Sequence, residues 1–538
     1  GGANTGGTAS ISYGGTINTG AGGHVINIQD HSTGAVTFSG NLTHTGGSGS
    51  SIVLDDNSSN FTFSGSALNF NSGSSNAINI TDQTGGSTIA FSGVLNIDTT
   101  TGTGVNLGGT NAANFNFTGG NMTIDATGSG GGFIATGGGT VNVTGSGNHI
   151  ASMTGTALNI SNTTIGASDV TFQDISANGA VNGIVLNNTG SSGGLIVTGT
   201  GSTDGSGGTI QSTTGRGASF INTSDVSLSN MNFTNAGTSD LDADNSGLST
   251  GDNLATNAAI HLQTVTTVNL DNINISGGAE QGINGNTVAN FTLSNSSISN
   301  VGNEADEDGI HFFNMSGASA ITNTTITGSF DDNLNLQTQS GNLDLTITGS
   351  SATNSTQGSG YLFGIRGTTV ANISLDGVSS TNNFSGGIVA DAFDTATMNL
   401  RVNNSTSSGN NDQLSVSAGD SSSVDLEATG NTLSSVAAGD FVVISLLGSA
   451  FDTGYVFDAR IHGNTISVAD ELAADGVFVF NAGGGVINAA ITDNTITYAG
   501  GQRAIIVQQG QDGAATTRAT ITGNNIDLLL NGGNNADN

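Results

Sequence analysis

Aspartate supplies most of the reactive chemistry this chain offers. Of its 538 residues 40 are acidic, and only five of those are Glu, leaving 35 Asp. Two groupings have a spacing that chemistry can use. In the first, Asp240, Asp242 and Asp244 stand at alternate positions before Asn245-Ser246-Gly247, and Asp252 follows. Alternating Asp followed by turn residues wraps oxygen atoms around a hard cation. In the second, Glu304, Asp306 and Asp308 cluster, and Asp332 follows one repeat later. These eight residues are the candidate metal ligands, and Ca²⁺ is the cofactor they point to. Other site classes lack their residues. Cys is absent, which excludes thiolate metal sites and thiol catalysis. All six basic residues are Arg, so lysine Schiff-base chemistry is excluded too. The seven His (24, 31, 44, 149, 261, 311 and 462) show no close metal spacing and read as scattered surface residues.

The elements that must position these residues follow from internal repetition. Short apolar/polar alternations recur, such as Ala77-Ile78-Asn79-Ile80 and Gly183-Ile184-Val185-Leu186. Each is a strand signal with one buried face, bounded by turn residues. Taking the first apolar residue as a coil mark yields Val25, Ile52, Ile78, Val105, Phe133, Leu158 and Ile184, spaced 25 to 28 apart. The marks continue through Ala218, Ile260, Ile283, Ile310, Leu334, Ile365, Ile388, Leu414, Val442, Val477 and Ile505, more loosely spaced where loops are inserted. A second strand repeats with the same shift: Val226 to Phe233 returns as Val268 to Ile275, 42 residues on. Stacked coils bury such inward faces in one continuous core. The expected fold is all-β: a single-stranded right-handed parallel β-helix (β-solenoid) of about 18 coils, roughly 26 residues per coil. Residues 1–215 read as regular, nearly uncharged coils, and 216–538 as acidic coils of the same solenoid with loops near 190–257 and 445–475. Zero Pro fits, because every coil donates backbone N–H groups to the next.

On that repeat the acids fall into a pattern. Residues 1–200 hold eight of them and the remaining 338 residues hold 32. Two residues before a mark stand Asp308, Asp332, Asp412, Asp440 and Asp475. This is either a turn position that favours Asp or a column of carboxylates needing a counter-charge.

Several family resemblances follow. Gly430-Asn431-Thr432-Leu433, Gly463-Asn464-Thr465-Ile466, Asp493-Asn494-Thr495-Ile496 and Gly523-Asn524-Asn525-Ile526 resemble the turn motif of parallel β-helix repeat proteins. That resemblance implies an Asn ladder. The chain also resembles the Gly/Asn/Thr-rich repeat regions of bacterial surface adhesins of the autotransporter-passenger type, which implies an extracellular or cell-surface location. The Asp240 segment resembles the start of a calcium loop, but it departs from the EF-hand form at Asn245 and Gly251. Asp308-Gly309-Ile310 with Asp331-Asp332 resembles the aspartate set of polygalacturonases, which would make one Asp a general acid and another the activator of water. That family's Gly-His-Gly and Arg-Ile-Lys motifs are missing; Arg460-Ile461-His462 comes nearest. No catalytic residue is therefore expected.

A net charge of -34 excludes an ordinary nucleic-acid binder and argues against anionic lipid. No apolar run approaches a membrane span, and Gly1 opens the chain without a signal peptide, as a mature chain or fragment would. Phe61/Phe63 and Phe115/Phe117 read as a core stack. Repeated Thr-x-Thr is too irregular for an ice-binding lattice. Asn-x-Ser/Thr sequons permit glycosylation without indicating it. The expected role is a non-catalytic extracellular structural protein: an adhesin stalk, surface-layer component or filament subunit. Its expected partners are copies of itself and cell-surface glycans.

Overall fold

The computed structural model describes residues 7–240, 256–435, 442–450, 452, 454–468, 475–499, 503–510 and 515–529. The chain forms two compact units, divided near residues 240 and 280, with 257–279 belonging to the first. Each unit is a stack of parallel β-coils, and the described residues contain no helix. The fold is thus the expected all-β parallel solenoid.

One coil shows the construction. Its three strands are Ile78–Thr81, Thr88–Phe91 and Val94–Thr99. Each lies in parallel register on its copy in the next coil: Ile78 on Val105, Ile89 on Phe115 and Ile97 on Ile124. Because side chains alternate across a strand, Ile78, Ile80, Ile89, Phe91 and Ile97 all point inward and are fully buried. Like residues therefore stack on like. Phe63, Phe91 and Phe117 are stacked with ring centroids 4.7 and 4.9 Å apart, and Phe61 and Phe115 are wholly buried. Backbone bonds continue through the turns, as in Ser51 N–H to Ala77 O and Ala77 N–H to Thr103 O, both 2.9 Å. A proline would remove such donors.

Most coil marks fall where expected. In the first unit Ile52, Ile78, Val105, Phe133, Leu158, Ile184, Ala218 and Ile260 pair in sequence. Three are displaced. The first coil's partner of Ile52 is Ile26 rather than Val25. Leu334 pairs with Tyr361, and Ile365 is the last of three inward residues on Tyr361–Ile365. Leu414 pairs with Ile444, while Val442 pairs with Asp412. The physical reason is shared: where several inward residues follow one another, alternation identifies the face but not which residue begins the coil. The 42-residue repeat is confirmed, with Val226 on Val268 and Phe233 on Ile275.

The turn motif is an Asn ladder. Gly430, Gly463, Asp493 and Gly523 all adopt left-handed backbone (φ 68°, 64°, 55° and 70°). Gly, Asn and Asp reach this region most readily. The turn places Asn431, Asn464 and Asn494 inside, at 1 % exposure each. Asn431 donates both its backbone N–H and its Nδ2 to Asn464 Oδ1 at 2.9 Å, and Asn464 and Asn494 do the same onto Asn494 and Asn524 at 2.9 to 3.0 Å.

Candidate cation site on the acidic coil

The Asp column has a simple local function. Asp308 Oδ1 accepts the Asp332 N–H one coil on at 2.9 Å. Asp332 Oδ1 accepts the Ser359 N–H in the same way. Asp412 and Asp475 accept the N–H groups of Val442 and Arg503, each at 3.2 Å. In the first unit the same position holds Asn76 and Asn182, whose Oδ1 atoms accept from Thr103 and Arg216 at 3.0 and 2.9 Å. The position requires an oxygen acceptor, and charge is optional there. Asp440 lies outside the described residues, and its coil presents Val442 in the column instead. Among the described residues, only Asp308 and Asp332 put two column carboxylates on consecutive coils.

Those two sit in an unusual environment. Asp308 is 0 % exposed and Asp332 5 %. Carboxylate oxygens of Asp308, Asp331 and Asp332 all lie within 4.8 Å of one another. The Asp306 N–H donates to Asp331 Oδ2 at 3.1 Å, and His311 Nδ1 lies 2.8 Å from Asp308 Oδ2. Burial holds the Asp308 carboxyl well above the ordinary carboxylate range, and the neighbouring Asp331 charge adds to this. Burial does the same to Asp332, reinforced by Asp308 and Asp331. Asp331 is raised by burial, and Asp306 by burial and Asp331. Uncompensated buried negative charge is costly. Either protons or a cation must offset it. Oxygens this close match the span of a divalent cation with Ca–O distances of about 2.3–2.6 Å.

The sequence-derived ligands therefore separate. Asp308 and Asp332 come together, and half-buried Asp306 reaches them through its backbone. Glu304 is exposed, and its N–H turns to Glu307 Oε2. Asp240 is exposed in the first unit, and Asp242, Asp244 and Asp252 lie outside the described residues. Asp331 and His311 were missing from the expected ligand set. Asp331 had a signal in the Asp331-Asp332 doublet, whereas nothing in the sequence places His311 against Asp308. Arg460-Ile461-His462 lies on Val456–His462, five coils from Ile310.

The expectation of surface histidines is corrected. His31, His44, His261 and His311 are buried at 5 % exposure or less. His31 and His44 bond Ser59 Oγ and Ser51 Oγ at 2.7 and 2.9 Å. Burial pushes the His261 imidazole down to about 3 and also lowers His44. A turn or cap rich in Ser and Asn provides the partners that let an imidazole be buried.

No protein family, curated protein or solved structure matches this chain.

Proposed function

We propose that the chain is a non-catalytic structural β-solenoid of an extracellular or cell-surface assembly, as an adhesin stalk, surface layer or filament subunit, stiffened by Ca²⁺ at Asp308, Asp331 and Asp332. The observation that carries this reading is the trio of mutually close carboxylates, two of them buried. A cation there would tie two consecutive coils together. The burial of Asp308 and Asp332 supports a structural role, since a general acid must reach the bond it cleaves. The Asn ladders and carboxylate caps fit a scaffold held from coil to coil.

Calorimetry with and without chelator tests the reading. Added Ca²⁺ should raise the melting temperature of the full chain, and chelator should reverse the gain. The Asp331→Asn variant should lose the response while keeping its circular dichroism spectrum. A melting temperature indifferent to Ca²⁺ would remove the cation from the proposal. Release of reducing sugar from polygalacturonate, abolished in Asp332→Asn, would replace the structural reading with a hydrolytic one.

A further inference from the structure

Two adjoining hollows lie on the outward face of the second strands in the C-terminal unit. Seven of these strands, from Asn342–Thr348 to Thr516–Thr522, lie parallel and in unbroken register. Leu345, Ile373, Leu400 and Leu426 turn inward, so the residues between them stand outward in columns. One column has short side chains at its ends, Thr346 and Ser374 at one and Ala490 and Thr520 at the other, with Arg401, Glu427 and Arg460 between. The short residues leave room beside the long ones. A hollow of about 450 Å³ opens at Thr346 and Ser374, and one of about 490 Å³ at Ala490 and Thr520, with Arg401 lining both. Each is within the size range of ligand sites, roughly 300–1,000 Å³. Together they follow the coil stack over seven strands, about 29 Å at about 4.8 Å per coil. That shape suits an extended chain better than a compact molecule.

The lining narrows the chemistry. Arg401, Arg460 and Arg518 stand there against four carboxylates (Asp344, Asp425, Glu427 and Asp458), whereas the rest of the chain sets 36 acidic residues against three Arg. Each of the four carboxylates already has a partner. Asn372 donates to Asp344 and Asn488 to Asp458, both at 2.6 Å, and Arg401 reaches Asp425 at 2.7 Å and Glu427 at 3.3 Å. A cation therefore meets no uncompensated charge, and an anionic polymer is repelled by the surrounding chain. Hydrogen-bonding capacity is what remains. Arg518 is exposed, and its one described bond, to Asn488 Oδ1 at 3.1 Å, engages a single donor of the guanidinium fork. Asn372, Asn399 and Asn488 each donate one side-chain bond along the face and carry a second amide N–H. These planar groups hold one another in place and recur coil by coil, donors beside acceptors. Neighbouring hydroxyls of a sugar ring, each both donor and acceptor, match them. An extended peptide is a poorer match, since it pairs with the backbone of a sheet edge and this is a sheet face. We propose that this groove binds a neutral, linear oligosaccharide laid along the coil stack. The inference goes beyond the scaffold reading and does not depend on the cation site, because none of these residues belongs to the acidic coil.

Saturation-transfer NMR on the full chain in chelator tests it. Linear hexasaccharides of glucose, mannose, galactose and N-acetylglucosamine serve as neutral probes, and an oligogalacturonate as the anionic one. At least one neutral probe should bind, and its disaccharide should bind more weakly because it spans fewer coils. Arg518→Ala should raise the dissociation constant about tenfold, the loss of one charge-assisted hydrogen bond. Ala490→Trp should weaken binding as well, by filling the hollow without removing a polar group. Both side chains face outward, so unchanged circular dichroism serves as the folding control. Silence toward every neutral probe would overturn the proposal. So would binding that neither variant weakens, or a preference for the oligogalacturonate. Each of those outcomes leaves the scaffold reading standing, whereas cleavage of a bound neutral probe would overturn that reading and keep the groove.

Discussion

Asp308 and Asp332 perform two tasks with different demands on charge. Capping the next coil's N–H needs only an oxygen, which Asn76 and Asn182 supply without charge elsewhere in the stack. Holding a cation needs the carboxylate. The two tasks can be separated by pH. Both folded carboxyls titrate above their ordinary 3.8 because burial disfavours the charged form. Without a cation, the folded state then binds more protons than the unfolded state above that value. Their stabilising contribution is complete below 3.8 and is lost as pH rises through the raised folded values. In chelator, the wild-type melting temperature should therefore fall more steeply between acid and neutral pH than that of Asp308→Asn/Asp332→Asn. The double variant should also melt higher at pH 7. Equal slopes in the two proteins, measured by calorimetry, would show that the pair does not titrate as its burial requires.

At the scale of the strand and the turn, stability comes from repetition of one residue type at one coil position. Phe91 sits between Phe63 and Phe117 with no exposed surface. Phe91→Ala leaves a cavity that the flanking coils cannot close, and it should cost about 3–5 kcal/mol in denaturant unfolding. The Asn-ladder turn makes a different demand. Asp493 stands at φ 55° where three sister turns carry Gly. Asp493→Gly should be nearly neutral, whereas Asp493→Val should cost about 1–2 kcal/mol, since a β-branched side chain opposes left-handed backbone. A Val variant as stable as the wild type would mean that this turn does not hold the left-handed form. These elements were readable in advance because alternation and turn chemistry are local. The slipped marks at Val25, Ile365 and Val442 arose because coil origin depends on which residue of a neighbouring coil is hydrogen-bonded, and that is not local.

For the whole molecule, the dominant fact is a net charge of -34 carried by stacked coils. Such self-repulsion opposes the compact state, and salt screens it over a Debye length of about 10 Å at 0.1 M. The melting temperature in chelator should therefore rise when sodium chloride is added, as calorimetry can measure; a fall would show that the surface ion pairs outweigh the repulsion. The sequence by itself determined the solenoid, its coil length, the Phe stack and the Asn ladder. The first three follow from side-chain period and the repeat of like residues, and the ladder from the resemblance of its turn motif to that of parallel β-helix repeat proteins. The tertiary structure decided that Asp331 joins Asp308 and Asp332, the pair the coil repeat already set on neighbouring coils, and that exposed Glu304 does not. Asp308 and Asp331 are 23 positions apart in the chain, and only coil stacking brings their oxygens within 4.8 Å. It also decided which side chains are buried. His311 and Asp308 look like surface residues in a polar, acidic sequence, yet the packing of turn on turn removes both from water. Burial is set by what covers a residue, and the covering segments here come from other coils.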